Sequence, residues 1–291
     1  LFRSTLMQAP VPCSSLSEYL SRFALPLNYL QTDVALERVA FELTEDLARE
    51  GVEYAEIRFA PQLSTELGLS QMEVTEAVAA GVKRGMAAYP GIKAGLLLCC
   101  MRGSDEGTAR NNMETLKTAA DCVKDGEKGR IVCGVDLAGA EEVYDTGLFR
   151  SLFEEADRYG LKRTIHAGEA AGPDSMWKAL EMGALRIGHG IAAIQDQSLI
   201  KELVTRRTAL EVCVTSNVQT KGVRSLKEHP IKELYDAGVH VTLNTDNRTV
   251  SGTTLLKEID LVKNAFGFTD EDIKRMEGYA AEAAFLDAAI V

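Results

Sequence analysis

Three short stretches carry side chains whose types and spacing could do chemistry: His166-Ala167-Gly168-Glu169, Gly188-His189-Gly190 and Thr245-Asp246-Asn247. A histidine three residues before a glutamate, across a glycine, can present imidazole and carboxylate to one cavity. That pairing suits a metal ligand beside a proton donor. The glycines around His189 let a ligand or another backbone approach closely. A carboxylate such as Asp246 can bind a metal or hold a water. Each residue alone also has a structural use. His-x-x-Glu occurs on surfaces, His189 could be a core or turn histidine, and Asp246, Asn247 or Arg248 could cap a helix or close a turn. The order is not H-E-x-x-H, so the helical metalloprotease geometry does not apply.

The elements around these stretches decide between the readings. Short runs rich in Val, Ile and Leu lie at 52–60, 92–101, 131–138, 163–168, 185–189, 209–216 and 239–245. They alternate little, as strands buried on both faces do. Helical patterns fill the gaps. Leu36, Val39, Ala40, Leu43 and Leu47 share a face over 33–50, with Gly51 as the stop. Ser70 and Glu73 make a capping box ahead of Val74, Val78, Val82 and Met86. Leu148, Leu152, Ala156 and Tyr159 form a stripe closed by Gly160, and Pro173 opens a helix to about Met182. Two more helices are expected near 253–266 and 270–286.

This alternation requires right-handed crossovers and a parallel α/β sheet. No G-x-G-x-x-G turn follows the first strand, which argues against an open doubly wound sheet. A TIM-type (β/α)8 barrel fits better, and its catalytic end is where strands finish. All three stretches sit at strand ends. Seven strands are legible where a barrel needs eight, and residues 1–31 offer no convincing one. The first strand is therefore expected to be missing from this sequence, and residues 1–291 are read as a single, N-terminally incomplete barrel domain. His229, before Pro230 at a helix start, and His240, near the start of a strand, are expected to be structural.

Composition narrows the partners. The 291 residues are 26% charged with a formal net charge of -11, which disfavours a surface that tracks nucleic-acid phosphates. No apolar run approaches the roughly 18 residues of a membrane span. The six cysteines form no C-x-x-C pair and sit mostly in apolar runs, as free thiols of a cytoplasmic protein do. The chain opens Leu1-Phe2-Arg3 without a Met, which leaves open what preceded it. Oligomeric state is not readable.

The three stretches, taken in order with GVEYAEIRFAP at 51–61, GVDLAG at 134–139, TSNVQT at 215–220 and His229-Pro230, resemble the adenosine deaminase family of metal-dependent amidohydrolase barrels. The resemblance implies hydrolytic deamination of adenosine, and of 2'-deoxyadenosine, to inosine and ammonia in purine salvage. It implies one zinc ion per chain, with His166 and Asp246 as ligands. Glu169 would protonate the purine ring nitrogen beside the attacked carbon. His189 would orient the zinc-activated water and assist its deprotonation, and Asp246 would accept a hydrogen bond from it. Gly139 would contact another ring nitrogen through its backbone, and Asn247 the five-membered ring. The partner is a small-molecule purine nucleoside, with no nucleic acid and no membrane.

Two departures stand out. The family carries a His-x-His zinc pair at the end of its first strand, and the first histidine here is His166. Two further His ligands are thus expected in a missing N-terminal segment. Asn247 stands where many members have a second Asp. Adenine or another 6-aminopurine remains an alternative substrate, and a non-catalytic purine-binding barrel an alternative class.

Overall fold

The computed structural model describes residues 6–10, 13–125 and 131–286. The chain divides into two compact units. The first comprises Pro26–Ala138, Ser151–Arg163 and the residues from Ala284 on. Its strands β1 (Tyr54–Phe59), β2 (Lys93–Met101) and β3 (Val132–Ala138) pair in parallel in the order β1-β2-β3. β2 is central and almost wholly buried from Ala94 to Cys100, which is why its sequence is apolar without alternation.

Two long helices, Asp33–Arg49 and Gln71–Ala88, belong to the same unit. The capping box of Ser70 and Glu73 opens the second helix, and Val74, Val78 and Val82 are buried as their spacing predicts. Their contact depends on two glycines. A Cβ on Gly85 would meet Thr44 at 2.6 Å, and one on Gly81 would run into the Glu37 carbonyl. The apolar stripes are otherwise only partly buried: Val39 is 46% exposed, and Leu148, in a 3-10 turn ahead of helix Arg150–Arg158, is 63% exposed.

The second unit comprises the residues up to Leu25, Gly139–Arg150 and Thr164–Ala283. Strands β4 (Thr164–Ala167), β5 (Arg186–His189), β6 (Ala209–Val212) and β7 (Val241–Leu243) pair in parallel in sequence order. The register sets His166 beside Gly188 and Ala167 beside His189. β6 is shorter than the expected 209–216. Glu258, 1% exposed, accepts the Thr215 N–H at 3.1 Å and its hydroxyl, and a helix over Val214–Gln219 begins there. Of residues 1–31, those described form short helices. Helix Leu16–Ser21 buries Tyr19 with Ala9, Cys13 and Val250.

One end of this sheet is held by a buried ion pair. Arg186 Nε lies 2.7 Å from Glu211 Oε1, both side chains 7% exposed. Thr164 donates its hydroxyl to Glu211 at 3.0 Å, and Arg186 donates to the Ala283 carbonyl at 2.8 Å. Removing one partner leaves the other charge buried. Arg186→Met is expected to cost about 3–5 kcal/mol in urea unfolding, and adding Glu211→Leu should recover much of it. A single mutant within experimental error of the wild type contradicts this.

The described residues hold seven strands in these two parallel sheets. None of the six cysteines is in a disulfide. Among the described residues no helix is long and apolar enough to cross a membrane.

Candidate active site

The loop after β4 is built around a buried carboxylate. Glu141, 4% exposed, accepts four backbone N–H groups: Gly168 at 2.7 Å, Glu169 at 2.9 Å, Ala170 at 2.8 Å and Ala171 at 3.2 Å. The Ser175 hydroxyl, itself 2.6 Å from Thr146 Oγ1, donates to it as well. Successive amides turned towards one anion form a nest. Gly168 makes the turn possible. Its φ is +72°, and a Cβ there would meet Met176 Sδ at 2.6 Å. The loop therefore delivers Glu169 at a fixed point, 7% exposed. Burial raises the Glu169 carboxyl above its usual range. The His189 ring opposes this, and the Asp246 charge adds to it.

β5 ends on His189, which is 2% exposed. Its Nε2 lies 3.5 Å from Glu169 Oε2. The His166 and His189 rings are 5.2 Å apart and tilted by 55°. Gly188 permits that approach, since a Cβ there would sit 3.1 Å from the His166 ring. His189 (φ +61°) and Asp246 (φ +53°) are two of four non-glycine residues with positive φ among those described. Such backbone costs of order 1–3 kcal/mol per residue and gathers at functional sites.

Asp246 follows β7 and is exposed. Its Oδ2 accepts the Ser216 hydroxyl at 2.7 Å and the Tyr19 hydroxyl at 3.3 Å. Asn247 Oδ1 accepts the Val250 N–H at 2.9 Å and caps the short helix Arg248–Ser251, the structural use open to it from sequence. Gly139 (φ +112°) lies two residues before Glu141. His240 stacks on Tyr279 at 4.0 Å, the structural role expected of it.

The structure thus brings His166, Glu169, His189 and Asp246 together, and it adds Glu141, Ser216 and Tyr19, which the sequence reading did not single out. The imidazole of His166 and the carboxylate of Asp246 are donors that suit zinc. Among the described residues no group of three or more His, Cys, Asp or Glu side chains is placed to hold a metal. A catalytic zinc usually takes three protein ligands, so these two fit as part of a set.

Residues 5–290 match the family model described as Adenosine deaminase. An adenosine deaminase of Haemophilus ducreyi is 43% identical over 280 residues, covering 96% of this chain and 80% of the relative. One from Clostridium botulinum is 39% identical over 276 residues, covering 94% and 80%. Among solved structures, an Arabidopsis N6-mAMP deaminase superposes with a TM-score of 0.82 at 28% identity, over 95% of this chain and 81% of that one. An adenine deaminase from Arthrobacter aurescens gives 0.83 at 23% identity, over 96% and 82%. The fold class is the (β/α)8 barrel read from the sequence. The chain belongs to the adenosine deaminase family.

Proposed function

We propose that this protein hydrolyses adenosine, and 2'-deoxyadenosine, to the 6-oxo nucleoside and ammonia with one zinc ion per chain. The observation that carries the reading is a buried carboxyl, Glu169, set 3.5 Å from His189 in a chain matched over 96% of its length by an adenosine deaminase. His166 and Asp246 would hold the ion as part of a fuller ligand set. When bound, the ion supplies the charge that brings a water from a pKa of about 15.7 to about 7. A zinc-bound amidohydrolase of similar fold supports the choice of metal.

The chain's own groups do the rest. A purine ring resists attack at C6 until a neighbouring ring nitrogen is protonated. Glu169 supplies that proton, and burial, which favours the uncharged form, raises its carboxyl above the usual range. His189 orients the attacking water. The free Oδ1 edge of the Asp246 carboxylate is not engaged by Ser216 or Tyr19, and the carboxylate accepts a hydrogen bond from that water. Water adds to C6, the amino group takes a proton and leaves as ammonia, and the carbon keeps the oxygen. The Gly139 backbone and Asn247 contact the rest of the purine. A cytoplasmic setting accords with six cysteines outside any disulfide.

The test is a substrate panel on the zinc-loaded protein. Adenosine and 2'-deoxyadenosine should be turned over with much higher kcat/KM than adenine or AMP. Preference for adenine assigns the 6-aminopurine base as substrate instead. No turnover of any of them leaves a purine-binding barrel.

A further inference from the structure

Asn217 is fully buried and spans two histidines. The Ile231 N–H points at His229 Nδ1, 3.2 Å away. A backbone amide can only donate, so Nδ1 of His229 carries a lone pair. His229 is 4% exposed, and burial lowers its pKa to about 4, so its ring is neutral near pH 7. A neutral ring with a bare Nδ1 has its hydrogen on Nε2. Nε2 lies 3.2 Å from Asn217 Oδ1 and donates to it. That fixes the amide, whose nitrogen must then face His189 Nδ1 at 2.9 Å and donate. His189 Nδ1 is therefore an acceptor, and the neutral ring keeps its hydrogen on Nε2, the nitrogen that faces Glu169.

The frame around this chain of bonds is rigid. Asn217 donates its own N–H to the Cys213 carbonyl at 2.8 Å, and its carbonyl accepts from Val223 at 3.2 Å. The Phe266 ring packs 6.1 Å from the His229 ring. Its place before Pro230 at a helix start suggests only a structural use for His229. The direction of each hydrogen bond gives it another.

We propose that His229 and Asn217 are positioning residues that hold His189 in its Nε2–H tautomer, so that His189 meets the attacking water as a hydrogen-bond donor. The proposal rests on the reading of His189 given above. It assigns His189 to orienting the water oxygen in the resting enzyme and leaves acceptance of the water's hydrogen to a carboxylate.

The tautomer is read directly by long-range proton–nitrogen NMR on protein labelled in its histidine rings, metal-free and zinc-loaded. The His189 signals are assigned by their loss in His189→Gln. The wild type should show His189 with its hydrogen on Nε2. In Asn217→Asp, a carboxylate of nearly the same shape accepts from both histidines. The His189 hydrogen should then appear on Nδ1, and kcat for adenosine should fall about 10–100-fold with little change in KM, as when the partner that orients a catalytic imidazole is altered. His229→Gln can place an amide N–H where the imidazole Nε2–H was, and should restore most of what His229→Phe loses. A wild-type His189 with its hydrogen on Nδ1, or the same tautomer and kcat in Asn217→Asp, overturns the proposal. An Nε2–H signal in a protein that deaminates no purine supports the tautomer lock and overturns the functional reading instead.

Discussion

Glu169→Gln lowers kcat/KM for adenosine by about 10²–10⁴-fold, the range expected when a positioned proton donor is removed. Glutamine keeps the shape and a hydrogen-bonding N–H but cannot deliver a proton to the ring nitrogen. The loss should fall mainly on kcat, because contacts to the rest of the purine are intact. The fold should be unaffected. The position of residue 169 is set by its own backbone N–H on Glu141, 2.9 Å away, and not by its side chain. Zinc content and thermal midpoint should match the wild type. A variant that keeps wild-type kcat/KM removes Glu169 from the proton-donor role.

Glu141→Leu has the second large effect, and it falls on stability. The substitution leaves four backbone N–H groups and the Ser175 hydroxyl without the carboxylate that accepts them. Each buried donor left unmet costs about 1–3 kcal/mol. Even with some donors reaching water, a loss of at least about 4 kcal/mol in urea unfolding is expected, a large share of the roughly 5–15 kcal/mol of a typical domain. Glu141→Gln is milder, because its amide oxygen still accepts some of the N–H groups while its NH2 opposes others. That variant should fold yet turn over adenosine much more slowly, because the loop no longer fixes Glu169. If Glu141→Leu unfolds within about 1 kcal/mol of the wild type, below the cost of even one unmet buried donor, the nest does not hold the loop.

The contrast between these two glutamates shows what a sequence makes legible. Glu169 was readable because it follows a histidine and a glycine at the end of an apolar run. Glu141 was not, because its partners are backbone amides 27–30 residues further on, and nothing in Ala140-Glu141-Glu142 marks that geometry. Strand cores were legible from unbroken Val, Ile and Leu, as in β2. The end of β6 was not. Val212, Val214 and Thr215 read as one β run, but Glu258, 43 residues away, draws off the Thr215 N–H and starts a helix. That helix carries Ser216 towards Asp246 and Asn217 towards His189. Tyr19, 227 residues from Asp246, was hidden for the same reason. Helical stripes overreached where a face turned to solvent, as at Val39 and Leu148.

Zinc content and chemistry are coupled in one measurement on the purified protein. Intact mass and zinc are measured first, and then the loss of adenosine absorbance before and after chelation and re-addition of zinc. About one zinc per chain is expected, with turnover that disappears with the metal and returns with it. Full turnover from zinc-free protein would contradict the proposed role of the metal. A zinc-loaded protein that leaves adenosine intact would contradict the deaminase reading.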